Sequence, residues 1–202
     1  MDEFPRKDDE KAELRARMVA ERQLLHEHQR RRLDRQICAH LLRLLDDRDC
    51  VHLAAYIAFN GEPDLGPALE ALHHAGRRIH LPVVNDNRMH FCRWTPTSEM
   101  RPNRFGIPEP VDGHECPPER LELVLMPLVA FSPGGTRLGM GAGYYDRTFG
   151  FCLDHPDSGP LLVGNAYSLQ EVDSLPAQSW DVPLDAVITD RGLKVFGGRG
   201  EV

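Results

Sequence analysis

No pair of cysteines in this chain has the C-x-x-C spacing of a zinc or redox motif, and its five cysteines are odd in number and widely scattered. They read as free thiols of a reducing compartment. The acidic start MDEFPRKDDEK lacks the apolar stretch of a signal peptide, and the longest apolar runs, near residues 51–59 and 123–131, are far shorter than a membrane span. A cytoplasmic protein without a membrane partner is expected. Positive charge is not in excess either: the formal net charge of −7 argues against general affinity for nucleic acid or anionic lipid. Neither an internal repeat nor a low-complexity segment is present, and no glycine loop ends in the G-K-[ST] of a Walker A motif.

What is there is ordinary in bulk. With 202 residues, 41 % hydrophobic and 27 % charged, the chain suits a single domain over residues 1–202, the first ten expected to be disordered. Residues 11–46 are rich in Leu, Arg, Glu and Ala without Gly or Pro, predicting one helix or two with a break near residues 26–29. Half of all Lys and Arg lie between positions 6 and 48, including Arg30, Arg31 and Arg32. A solvated helix face interleaved with acids is one account of them, and an RNA-binding face the other.

Beyond residue 50 the texture changes. VHLAAYIAF (51–59), DLGPALEALHHAG (64–76) and RRIHLPVV (77–84) form a strand, a helix closed by Gly76, and a strand, the pattern of a β-α-β unit in a parallel sheet. RMHFCRW (88–94) alternates like a half-exposed strand. LELVLMPLVAF (121–131) is the most apolar stretch and the expected central strand; LLVGNAY and AVITD supply two more. The order predicts an α/β fold: a three-layer α/β/α domain with a mostly parallel central sheet, preceded by one or two helices. Ligands are expected at the carboxyl ends of its strands.

The segment RLGMGAGYYDRTF (137–149) carries the chemistry. Gly139, Gly141 and Gly143 make positive φ inexpensive, so successive N–H groups can turn inward around an anion, and Arg137 can offer a planar, two-pronged grip on phosphate. A tight strand-to-helix connection without a ligand is the other reading of the spacing. Asp146 favours the first, because a carboxylate beside a phosphate nest calls for a cation between them, and Mg²⁺ held by carboxylates and phosphates is the usual solution. Tyr144 and Tyr145 add flat faces and hydroxyls. The histidine pairs at 26 and 28 and at 73 and 74 lack metal-site spacing and read as surface residues.

LVLMPLVAFSPGGTRLGMGAGYYDR resembles the hallmark of the 5-formyltetrahydrofolate cyclo-ligases, and KAELRAR, YIAFNGEPD, RRIHLPVV, FGIPEP and WDVPLDAVITD follow in that family's order over residues 11–190. The resemblance implies an enzyme that uses ATP and Mg²⁺ to close 5-formyltetrahydrofolate, or its polyglutamates, into 5,10-methenyltetrahydrofolate, working as a monomer. By position it implies that Lys11, Arg15 and the loop residues Arg137, Leu138, Gly139, Met140, Gly141, Ala142, Gly143, Tyr144 and Tyr145 bind ATP. Ile57 and Glu62, with residues 140–144, would contact the folate. Asp146 and Asp181 would hold magnesium, with Asp185 a weaker candidate, and Arg137 and Asp146 would be catalytic. Some members of the family carry basic residues where this chain has Met140 and Ala142. Two other functions stay open: a noncatalytic relative binding RNA through its basic helices, and a sugar-phosphate isomerase or acyl-transferring enzyme on a related sheet, which would need no nucleotide.

Overall fold

A computed structural model of the chain describes residues 7–46, 48–155 and 158–197. Two helices lead, α1 (Lys7–Gln23) and α2 (Glu27–Asp46). The break falls at residues 24–26, slightly earlier than expected, and α1 starts inside the segment expected to be disordered; residues 1–6 lie outside the described residues.

Eight strands form the main sheet: β1 (His52–Ala54), β2 (Arg78–Asn85), β3 (Arg88–Trp94), β6 (Glu115–Cys116), β7 (Leu123–Pro127), β10 (Leu161–Asn165), β11 (Ala186–Thr189) and β12 (Gly192–Val195). Their order is β12-β11-β10-β7-β1-β2-β3-β6. The five inner strands from β11 to β2 are parallel, while β12, β3 and β6 pair antiparallel at the two ends. Two small hairpins stand apart: β4 (Met100–Pro102) with β5 (Pro108–Pro110), and β8 (Ala130–Phe131) with β9 (Arg137–Leu138).

The pattern of burial follows from where each strand lies. Strand β7 is covered on both faces, which is why LVLM reads as an unbroken apolar run. One face packs under α2 and α3 (Gly66–His74): Leu33, Ile37, Leu41 and Leu45 recur every fourth residue along α2 and meet Leu53, Ile79, Leu125 and Ile188 of the strands. The other face, with Ala54, Phe91, Val124, Met126 and Val187, packs under α4 (Tyr144–Phe149) and α5 (Phe151–Asp154) through Phe149 and Cys152. Three layers result. No helix among the described residues is long and apolar enough to cross a membrane.

The expected strand over 51–59 pairs only as far as Ala54; beyond it the chain leaves the sheet, and the buried Tyr56 fixes the departure by donating its hydroxyl to Pro63 O at 3.0 Å. Gly164 in the middle of β10 marks the tightest packing. A Cβ there would stand 2.7 Å from both Leu128 Cδ2 and Leu184 Cδ1, and both leucines are buried, with no space to retreat into. Gly164→Ala is expected to cost about 1–3 kcal/mol, read as a lower urea midpoint with an unchanged slope; an unchanged midpoint would show that the layer is looser than drawn.

Candidate active site

The glycine loop follows the β8-β9 hairpin and ends at α4. Gly141 (φ 101°) and Gly143 (φ 67°) occupy the left-handed region that side chains avoid, so the sequence needs glycine at both. Gly139 needs no positive φ. Met140 is 56 % exposed, and Gly141 and Ala142 are exposed with it. The bend is thus open to a ligand rather than closed against protein.

Two arginines approach it, Arg15 from α1 and Arg137 from β9, and Lys11 lies on the same helix as the first. Arg15, one turn along α1 from Lys11, donates from Nε to Gly139 O at 2.9 Å, and its guanidinium carbon lies 3.5 Å from where a Cβ of Gly141 would stand. Lys11 pairs with Asp181 at 3.5 Å, and Gln178 N–H donates to the same Asp181 oxygen at 2.9 Å. Arg137 turns its guanidinium into Asp146 at 2.6 Å, with its side chain only 5 % exposed. Val182 N–H donates to that Asp146 oxygen at 3.1 Å. Asp146 and Asp181 are therefore tied to adjoining stretches of backbone. Arg137 also lies over the Tyr145 ring at 5.8 Å. One terminal nitrogen of Arg137 is engaged by Asp146 and its Nε is buried without a hydrogen-bond partner, while Arg15 is the arginine lying against the loop. Leu138, by contrast, is a buried anchor whose C=O accepts Val129 N–H.

Glu62 enters from the other side. Asn60 (φ 49°) and Gly61 (φ 75°) make a tight turn after β1, closed by Glu62 N–H on Phe59 O at 3.1 Å, and the Glu62 carboxylate accepts Phe59 N–H at 3.0 Å. Burial pushes the Glu62 carboxyl up to about 7, the Phe59 amide and the nearby Arg22 cation pulling the other way. Arg22 itself is fully buried, donates to Asn60 O (3.1 Å) and Leu128 O (3.2 Å), and is easier to deprotonate than an exposed arginine because burial outweighs the attraction of Glu62. It joins the Glu62 turn to the chain leading into β8. Glu62 in turn is near enough to Tyr145 to act on its phenol electrostatically. Ile57 is half-buried against the α2-side core.

Asp185 does not join this group. It is buried at the start of β11, where it accepts Leu162 N–H at 2.7 Å and braces the β10-β11 pair. Four residues not singled out in the sequence, Asp86, Asn87, Arg104 and Arg147, complete the rim around Tyr144. Arg104 and Tyr144 both bond Asp86 O (2.9 and 2.8 Å), Arg104 also donates to the Tyr144 hydroxyl at 2.5 Å, and Arg147 lies over the Tyr144 ring at 5.1 Å with its Nε on Asn87 O. The turn between β2 and β3 is thereby docked onto the loop. Spacing gave no signal for it, since its partners come from three separate segments.

This chain can be compared with known proteins over nearly all of its length. Residues 7–190 match the 5-formyltetrahydrofolate cyclo-ligase family. The chain belongs to that family. Among cyclo-ligase relatives, the Haemophilus influenzae 5-formyltetrahydrofolate cyclo-ligase is 35 % identical over 176 residues, covering 85 % of this chain and 89 % of its own. The Escherichia coli K12 protein of the same name is 42 % identical over 142 residues, covering 68 % and 76 %. The solved structure of Aquifex aeolicus 5,10-methenyltetrahydrofolate synthetase superimposes with a TM-score of 0.80 at 33 % identity, covering 95 % of each chain. The cyclo-ligase family is one of ligases, which sets this chain among enzymes rather than binding modules. Its α/β fold and parallel sheet agree with the expected architecture.

Proposed function

We propose that the protein closes 5-formyltetrahydrofolate to 5,10-methenyltetrahydrofolate at the expense of ATP, which leaves as ADP and phosphate, and that residues 137–145 cup the triphosphate. The observation that carries this reading is the open, left-handed bend at Gly141 and Gly143, flanked by Arg15, Lys11 and Arg137 and by the two carboxylates Asp146 and Asp181. Family membership supports the reaction. Carboxylates beside a phosphate site are commonly bridged to it by a divalent cation.

The formyl group on nitrogen 5 is an amide, with a resonance-stabilised carbonyl and an oxygen that leaves poorly. Transfer of the γ-phosphoryl group to that oxygen makes it a leaving group; nitrogen 10 then attacks the formyl carbon, the five-membered ring closes, and the C–O bond breaks to release inorganic phosphate. Such chemistry asks the protein for in-line positioning and charge stabilisation, not for a nucleophilic side chain. Loop N–H groups, Arg15 and Lys11 would hold the phosphates. Arg137, committed to Asp146, would fix that carboxylate in place. Asp146 and Asp181 offer hard oxygen donors that fit Mg²⁺, which when bound would neutralise charge on the phosphates. Glu62 and Ile57, with residues 140–144, would contact the folate.

Purified protein mixed with 5-formyltetrahydrofolate and MgATP should give the near-ultraviolet absorbance of the methenyl product, and none when either ATP or Mg²⁺ is left out. Turnover without nucleotide would end the proposal. Arg137→Lys is expected to lower kcat/KM about tenfold, the worth of one charge-assisted hydrogen bond, because an ammonium can keep the ion pair but not the planar fork. An unchanged rate would remove Arg137 from the machinery.

A further inference from the structure

At the end of the sheet where β1 begins, away from the strand ends that carry the glycine loop, three side chains from three strands converge. His52 opens β1, His80 lies in β2 and Cys116 closes β6. The registers Ala54↔His80 and Phe91↔Cys116 put them on the face that carries Ala54 and Phe91. His52 Nδ1 stands 3.2 Å from His80 Nε2, the two rings stack at 5.3 Å, and Cys116 Sγ is 3.8 Å from His52 Nδ1. One donor atom from each lies within 4.8 Å of the other two.

We propose that His52 Nδ1, His80 Nε2 and Cys116 Sγ bind one Zn²⁺ ion, distinct from any magnesium at the carboxylates. A tetrahedral zinc with Zn–N of about 2.0–2.1 Å and Zn–S of about 2.3 Å sets its ligands about 3.3 Å (N to N) and about 3.6 Å (N to S) apart. Two of the three edges are already close to those lengths. One thiolate and two imidazoles form a borderline-soft set that suits zinc and not magnesium or calcium. Three protein ligands leave a fourth position for a small ligand.

A bare hydrogen bond between the two histidines accounts poorly for the arrangement. His80 is 4 % exposed, and its Nδ1 is buried without a hydrogen-bond partner. With either tautomer the pair leaves a polar atom unsatisfied in the core, a cost an apolar residue would avoid. Metal bound at Nε2 puts the proton on Nδ1 and leaves that atom unpartnered, but supplies metal–ligand bonds whose free energy outweighs the cost. Arg78, Arg93 and Arg120 act on the histidines and disfavour a cation, while Glu122, held by Val51 N–H and His52 N–H, acts on His52 and Cys116 with the opposite sign. A bound thiolate and an anionic fourth ligand, hydroxide or chloride, complete the compensation.

The test uses the full chain stripped with a chelator and titrated with Co²⁺, which takes zinc's place and reports its ligands. One cobalt per chain should bring up a thiolate-to-metal charge-transfer band with ligand-field bands of four-coordinate intensity, and one equivalent of Zn²⁺ should bleach both and raise Tm. Cys116→Ser should lose the thiolate band. His52→Gln, at a partly exposed position, should keep the circular dichroism of the parent and weaken binding by at least about tenfold, the lower end of what loss of a mere supporting group costs. No thiolate band at saturating cobalt in the parent protein, the band intact in Cys116→Ser, or unweakened cobalt affinity in His52→Gln overturns the site. Cobalt at Asp146 and Asp181 gives no thiolate band, so failure there is told apart from failure here.

Discussion

Asp146→Ala is expected to lower kcat/KM for methenyl formation by about a thousandfold or more while leaving the circular dichroism of the parent. The side chain does two things in the structure: it accepts the Arg137 guanidinium and Val182 N–H on one oxygen, and, in the proposed function, it serves magnesium with the rest of the carboxylate. Removing a preorganised charge at a developing transition state typically costs about a hundred- to a thousandfold. Here the loss is compounded, because the alanine variant also leaves a guanidinium that is 5 % exposed without its counter-ion. Raising Mg²⁺ should recover part of the rate in Asp146→Asn, which keeps an oxygen donor, and little in Asp146→Ala. Full turnover in the alanine variant would remove the metal assignment; equal loss in both variants at every Mg²⁺ concentration would leave Arg137 as the sole beneficiary of the carboxylate.

Glu62→Gln should separate binding from stability. Its carboxyl, ordinarily near 4.5, is raised to about 7 chiefly by burial. A raised carboxyl favours the folded state when protonated, so its contribution is complete below the unfolded value and is lost as pH rises through about 7. At 1.36 kcal/mol per unit, the parent protein sheds on the order of 3 kcal/mol between pH 4.5 and pH 8 through this group. Glutamine keeps an oxygen for Phe59 N–H and carries no charge, so that part of the pH profile should flatten and the variant should be the more stable protein above pH 7. Its KM for 5-formyltetrahydrofolate should rise about tenfold or more, as loss of a charge-assisted hydrogen bond implies. A profile as steep as the parent's would show that Glu62 titrates normally, and an unchanged KM would take it out of the folate site.

How far the fold was legible can be judged from particular elements. Strand β7 announced itself because both of its faces are covered, and α2 because Leu33, Ile37, Leu41 and Leu45 repeat every fourth residue. The loop showed in its glycines, two of which have the φ values that demand them. Strands β6 and β12, of two and four residues at the sheet's ends, carry too little pattern to be read. The stretch after Ala54 misled because residues such as Tyr56 are buried by packing around the connection rather than by strand pairing. At the site, residue type alone could not show that Arg137 would be held by Asp146, nor that Arg22, one of ten arginines between positions 6 and 48, would be fully buried. His52, His80 and Cys116 stay invisible for a plainer reason: their proximity is made by the register of three strands.

Lys11 and Asp181 stand 170 positions apart. In the proposed function, the triphosphate cradle therefore closes only when α1 meets a segment far from it along the chain. A fragment cut before Asp181 would keep the glycine bend and lose the Lys11 partner, so the two segments have to be present together for that contact to form.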